Sequence, residues 1–130
     1  MALAKHIKVG GGYYKGYKLS VGATPGEYSS IIVNTSGAAM NGLSITPDGY
    51  GVGDTMKVEH FNDASGTGSC LAILAESIHN AGGNSAVMLD FPAAELVDQG
   101  QSIKFTYTNT ASVAMNVYLI AEYIGIRKTA

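Results

Sequence analysis

The sequence predicts an all-β protein, a single antiparallel β-sandwich, and three observations carry that reading. Apolar and polar residues alternate over short runs, and no stretch keeps a helical period beyond roughly two turns. Gly, Pro, Asn and Asp clusters interrupt these runs every 8 to 12 residues or so, a rhythm of roughly seven or eight short strands. The chain also repeats itself. Residues 53–78, GDTMKVEHFNDASGTGSCLAILAESI, return as residues 100–126, GQSIKFTYTNTASVAMNVYLIAEYIGI, with Lys57 on Lys104, Asn62 on Asn109, Ala64 on Ala111 and Ser65 on Ser112. Dropping a loop residue then sets Ala75 and Glu76 on Ala121 and Glu122. Each copy reads as a polar-alternating strand, a small-residue turn and an apolar strand, so the repeat predicts two hairpins in pseudo-symmetric positions.

Length and composition fit one domain. A chain of 130 residues, 46% of them hydrophobic, buries roughly two-thirds of its extended-chain surface in one core. Charged residues are only 14% and Gly numbers 17, so the surface is made largely of Ser, Thr, Asn, Gly and small apolar groups. A surface so short of charge is poorly protected against association, which points to assembly as readily as to an ordinary Gly-rich β domain.

Taken in order, residues 1–22 read as a basic N-terminal arm or edge strand: KHIKV, the triple glycine Gly10, Gly11 and Gly12, then YYKGYKLSV. Tyr13, Lys15, Tyr17, Leu19 and Val21 share one parity, and Tyr14, Gly16, Lys18 and Ser20 the other. The glycines would let the first strand swing. Tyrosine interleaved with lysine suits an edge strand, a protein-docking segment or a base-stacking one. Residues 23–130 form the sandwich proper. ATPGE is a turn with Pro at a favoured place; SSIIVN and LSI are short strands separated by the loop TSGAAMNG. From Gly53 the first repeat begins, with Met56, Val58 and His60 on one side and Lys57, Glu59 and Phe61 on the other. HNAGGN turns into SAVMLDF, which Pro92 closes, and AAELVDQ is a short helix or a loop crossing the end of the sandwich. Ile103, Phe105 and Tyr107 alternate with Lys104, Thr106 and Thr108, a half-buried strand. The last strand places Val117, Leu119, Ala121 and Tyr123 on one face and Tyr118, Ile120, Glu122 and Ile124 on the other, so it is apolar on both. One face fills the core; the other needs a second cover, and another copy of the chain is the simplest.

Charge is distributed unevenly. Residues 1–26 hold Lys5, Lys8, Lys15 and Lys18 with no acid, while all 10 carboxylates lie between Glu27 and Glu122. This spacing is too sparse for the dense basic runs of nucleic-acid or anionic-membrane binding, so an acidic protein surface is the expected target. Cys70 has no partner for a disulfide or a zinc site and reads as a small packed hydrophobe just before an apolar strand. The N-terminus shows no apolar signal segment, and the longest apolar stretch is too short to cross a bilayer, so a cytoplasmic origin is expected and the sequon at Asn34 should never meet a glycosyltransferase.

No motif carries catalysis, and neither metal nor cofactor is expected. Glu76 and Glu122, at equivalent depths of the repeat, are the most tempting carboxylate pair for glycoside chemistry or a hard cation. With no third ligand and no aromatic groove beside them, they better suit an edge or inter-subunit role. The glycine run of residues 48–54, DGYGVGD, lacks the Lys-Ser/Thr of a phosphate loop and the Asp spacing of a calcium loop. His6, His60 and His79 show no ligand spacing and read as surface or strand-end residues.

The paired segments SIKFTYTNTAS and MNVYLIAEYIGI, with the basic glycine-jointed start, resemble the small β-sandwich or jelly-roll decoration (cement) proteins on the heads of tailed bacteriophages. The resemblance implies a virion protein made in the host cytoplasm, a homo-oligomer, commonly a trimer, that bridges major capsid protein subunits. Mapped here, it assigns partner binding to an arm of Lys5, His6, Lys8, Tyr13, Tyr14, Lys15, Tyr17 and Lys18, and self-association to Tyr118, Ile120, Glu122 and Ile124. It implies no enzyme activity and no direct contact with nucleic acid or membrane. The rival is a carbohydrate- or receptor-binding module using Tyr13, Tyr14, Tyr28 and Tyr50 as platforms, against which the absence of Trp counts; another tail or neck component is a third reading.

Overall fold

A computed structural model describes residues 6–49, 51–79 and 87–128, with side chains over 13–49, 51–76 and 87–125. Eight strands follow one another: β1 (His6–Val21), β2 (Gly26–Val33), β3 (Ala39–Pro47), β4 (Asp54–Phe61), β5 (Cys70–His79), β6 (Val87–Asp90), β7 (Ser102–Asn109) and β8 (Met115–Lys128). They form two four-stranded antiparallel sheets, in the orders β1-β8-β3-β6 and β2-β7-β4-β5. Every connection except β4 to β5 passes from one sheet to the other, which is the winding of a jelly roll. The all-β sandwich expected from alternation and turn spacing is the architecture observed.

The expectation of two hairpins is corrected in its second half. Residues 53–78 do fold as a hairpin, since β4 pairs with β5. In residues 100–126 the two strands lie in opposite sheets: β7 sits between β2 and β4, and β8 between β1 and β3. Both flanks of each strand are taken, so neither has a free edge for the other. What they share is the core. Ile103, Phe105 and Tyr107 of β7 and Val117, Leu119, Ala121 and Tyr123 of β8 are buried in one cluster with Ile32, Leu43, Ile45, Met56 and Val58. Similar alternation thus produces similar strands, while flanking partners decide which sheet each joins.

The turn that carries the chain from β7 to β8 is built around Asp54. This carboxylate is fully buried at the start of β4. It accepts hydrogen bonds from the Tyr107 hydroxyl at 2.6 Å, the Thr110 N–H at 2.7 Å, the Thr110 hydroxyl at 2.9 Å and the Ala111 N–H at 3.0 Å. Gly51 lets the preceding loop close over it, because a β-carbon there would strike the Asp54 carboxylate and stand 2.8 Å from Ala111 Cβ. Burial raises the Asp54 pKa, but these donors together outweigh it and hold the carboxyl below its ordinary value. The sign for stability follows. A depressed folded-state pKa contributes stability that is present above the unfolded value and lost as pH falls through the folded one. Urea midpoints should therefore fall between neutral pH and about pH 3 by more in the wild type than in an Asp54→Asn variant; equal losses would show that Asp54 is not the titrating group.

A second polar lock sits at the opposite turn. Asn34 is fully buried; its amide donates to the Ala38 carbonyl at 2.7 Å and the Val97 carbonyl at 2.8 Å, and its oxygen accepts from the Ser36 N–H and hydroxyl. With both side-chain atoms bonded inside, Asn34 offers no acceptor for a glycan in the folded chain. The segment after Pro92 makes one 3₁₀ turn, Ala93–Glu95, and then a bridge from Val97 to Met40, so it is a crossing loop with a helical turn.

Two smaller expectations are overturned. Cys70 is exposed, not packed: it opens β5 on the outside, its thiol 3.8 Å from Glu59 Oε2. Desolvation, and then the Glu59 carboxylate, raise its pKa. His60 is buried, not a surface residue, with Nε2 3.0 Å from Gln101 Oε1. It keeps the inward parity of Met56 and Val58, whereas Phe61, on the opposite parity, is also buried but stands outside the core cluster. His79 lies at the end of β5 with its side chain outside the described residues, as does that of His6. No helix of the described residues is long and apolar enough to cross a membrane.

Candidate functional site

The candidate site is the outer face of the β1-β8-β3-β6 sheet. It follows from the parity of β8. Val117, Leu119, Ala121 and Tyr123 point into the core and are at most 2% exposed, so their neighbours must point out. Tyr118 and Ile120 are each 44% exposed, and Glu122 and Ile124 are half-buried beside them. The antiparallel register then aligns residues across the sheet in rows. One row runs Tyr14, Glu122, Gly42, Asp90; the next Gly16, Ile120, Ser44, Met88; the third Lys18, Tyr118, Thr46. Ile124 continues the face opposite Gly12 and Ala39.

This face is apolar through its middle. Met88 is 75% exposed and Tyr14 69%, both large side chains that the fold itself leaves uncovered. Gly42 makes the relief. A β-carbon there would stand 2.9 Å from the Leu89 carbonyl oxygen, too close for the β3/β6 pairing to survive unshifted. With no side chain at Gly42, a groove of about 310 Å³ opens between Ile120, Glu122 and Tyr14 on one wall and Met88 and Asp90 on the other. The Tyr14 hydroxyl donates to the Glu122 carboxylate, and that hydrogen bond, with the adjacent negative charge, raises the Tyr14 pKa. Glu122 and Asp90 thus stand on one side of the apolar middle of the face and the Lys18 ammonium on the other.

The residues assigned to an arm divide between two faces. Residues 6–21 form one edge strand, paired with β8 from His6 opposite Lys128 to Val21 opposite Met115. The glycine run coincides with two register shifts in that pairing. Tyr14 and Lys18 stand on the outer face, whereas Tyr13, Lys15 and Tyr17 share the core-ward parity. There the Tyr13 ring stacks on Tyr123 with centroids 4.7 Å apart, and Lys15 Nζ lies 5.7 Å from the centre of the Tyr17 ring. Lys5 lies outside the described residues, and His6 and Lys8 are placed by backbone only. Tyr28 is half-buried with its hydroxyl on the Thr24 carbonyl at 2.7 Å, while Tyr50 lies outside the described residues.

The carboxylate pair Glu76 and Glu122 is not brought together. Glu76 is exposed on β5 at the register position of Lys57, in the other sheet. The glycine run of residues 48–54 is a connection whose acids are spent on backbone: the Asn116 N–H donates to Asp48 at 2.7 Å, and Asp54 is bonded as described. Among the described residues no group of three or more His, Cys, Asp or Glu is placed to hold a metal.

Sequence reasoning missed Met88 and the alignment of Lys18 with Tyr118. Met88 sat in a strand with no marked parity. Lys18 could be placed only by the β1/β8 register, which residue pattern alone leaves open.

The topology defines the class as an eight-stranded jelly-roll sandwich. No protein-family model matches the sequence, and no curated protein matches it. Among solved structures it is similar to the crystal structure of PirA, with 10% identity and a TM-score of 0.46 over 87% of this chain and 94% of that one. It is similar to the Bacillus endospore appendages that form disulfide-linked pili, with 13% identity and a TM-score of 0.42 over 95% and 96%. It is also similar to the virus-like particle of the extra small virus of the giant freshwater prawn Macrobrachium rosenbergii, with 12% identity and a TM-score of 0.40 over 90% and 82%. At such identities the likeness concerns strand arrangement alone.

Proposed function

We propose that this chain is a structural assembly protein of a virion, a capsid decoration protein that self-associates and bridges major capsid protein subunits of a phage head. The observation that carries the assembly reading is the outer face of the β1-β8-β3-β6 sheet. Its strand β8 has already filled the core with one side, yet Tyr118 and Ile120 remain exposed on the other beside Tyr14 and Met88. Apolar side chains gathered on one flank favour burial against a partner by roughly 25 cal/mol per Å². The viral setting comes from the resemblance of the paired segments and basic start to decoration proteins. Such a role needs no chemistry: a protein that binds only the assembled lattice stabilises it by mass action, and joined copies gain avidity. The resemblance implies a trimer, while the charge pattern of this face supports pairing about a two-fold axis.

The test is co-sedimentation with heads assembled from major capsid protein alone. The full chain should bind them and raise their resistance to heat or chelators. Removing residues 1–12 should abolish binding while the fold survives, because residues 13–21 keep their pairing with residues 115–123. A truncated chain that decorates heads as the full chain does would show the N-terminal segment to be dispensable, and a full chain that never binds them would remove the decoration reading.

A further inference from the structure

We propose that the outer face of the β1-β8-β3-β6 sheet pairs with the same face of a second copy about a two-fold axis that runs across the strands through the row of Ile120 and Met88. The proposal rests on the self-association reading above and names its partner surface and symmetry.

Charge complementarity selects this axis. Along the face the row of Tyr14, Glu122 and Asp90 is anionic, the row of Ile120 and Met88 is apolar, and the row of Lys18 and Tyr118 is cationic. Tyr14 and Lys18 are four residues apart, so the charged rows are separated by ~13 Å at the rise of a β-strand. Lys18 therefore cannot reach Glu122 or Asp90 of its own chain from its paired position. It is exposed, and no ion pair engages it among the described residues. In an isologous contact each patch meets itself, and two orientations are open to stacked sheets. An axis along the strands would lay anionic row on anionic row. An axis across the strands inverts position along them, so each copy's Lys18 faces the other's Tyr14 and Glu122, while Ile120 meets Ile120 and Met88 meets Met88. Neighbouring strands are about 4.8 Å apart and packed sheets about 10 Å, distances that a lysine stem spans. An apolar centre with a charged rim is the usual anatomy of such a contact.

The experiment uses the full chain with Lys18→Glu and Glu122→Lys, each alone, together in one chain, and as a mixture of the two single variants, with mass read by sedimentation velocity. Each single variant should weaken pairing about tenfold or more, since like charges then face each other twice. The double variant should pair again. The mixture should also pair, because the Lys18→Glu chain carries a carboxylate at both 18 and 122 and the Glu122→Lys chain an ammonium at both, so opposite charges meet at each of these contacts. That recovery excludes misfolding as the cause of the losses. Wild type and both single variants self-associating equally would overturn this symmetry while leaving self-association standing. A mixture that stays as dissociated as its components would also overturn it, and a wild type that never associates would sink both.

Discussion

Asp54→Ala should be the most damaging single polar substitution in the molecule, lowering the free energy of unfolding by about 3 kcal/mol or more. The alanine removes the acceptor of four hydrogen bonds at once, among them those donated by the buried Tyr107 O–H and the part-buried N–H groups of Thr110 and Ala111. An unmet buried donor costs about 1 to 3 kcal/mol, which the Tyr107 O–H incurs in full and the part-buried Thr110 and Ala111 N–H groups in part, and together they outweigh the small side chain lost. The consequence reaches further than local strain, because residues 110 and 111 begin the crossing from one sheet to the other. Asp54→Asn keeps the shape and one accepting oxygen and should cost about half as much. Urea unfolding of the two variants against wild type measures this, and an alanine variant within about 1 kcal/mol of wild type would show the turn to be held by something else.

Ile120→Glu should abolish self-association while leaving the unfolding free energy within about 0.5 kcal/mol of wild type. Ile120 contributes nothing to the core, since its neighbours Leu119 and Ala121 fill that side completely. Its exposed side chain stands in the middle of the outer face, beside Ser44 in the strand register and in the wall of the groove. A carboxylate there would be desolvated on pairing and would face its own copy across the axis, adding to Glu122 and Asp90 nearby. The complementary control is Leu119→Ala, one residue away, which should lose about 2 to 5 kcal/mol of stability through a core cavity. Chemical denaturation and sedimentation on the same samples separate the two effects. Equal association of Ile120→Glu and wild type would place the contact on another face.

What was legible in the chain was whatever depends on period and parity. The alternation in residues 117–124 correctly separates the core row from the exposed row, and the turn residues mark the connections. What could not be read depends on pairing across the molecule. Two segments as alike as residues 53–78 and 100–126 fold differently because β8 is flanked by β1 and β3, partners far away in sequence. His60 and Phe61 are both buried although they take opposite parities of β4, because burial at the strand's end depends on what covers it and not on period alone. Cys70 is exposed because it opens an edge strand, and that position is set by sheet order. The candidate face shares this division. Tyr118, Ile120 and Glu122 follow from β8 alone. Tyr14, Lys18, Met88 and Asp90 join them only through the registers of β1 and β6, which also reassign Tyr13, Lys15 and Tyr17 to the opposite side of the edge strand.

The most direct test of the account is the solution mass of the wild-type chain, followed by sedimentation equilibrium over a wide range of concentration. Exposure of Tyr14, Met88, Tyr118 and Ile120 on one flank predicts a mass that climbs with concentration from that of a single chain to that of a pair. A mass that stays at a single chain up to the solubility limit would contradict it.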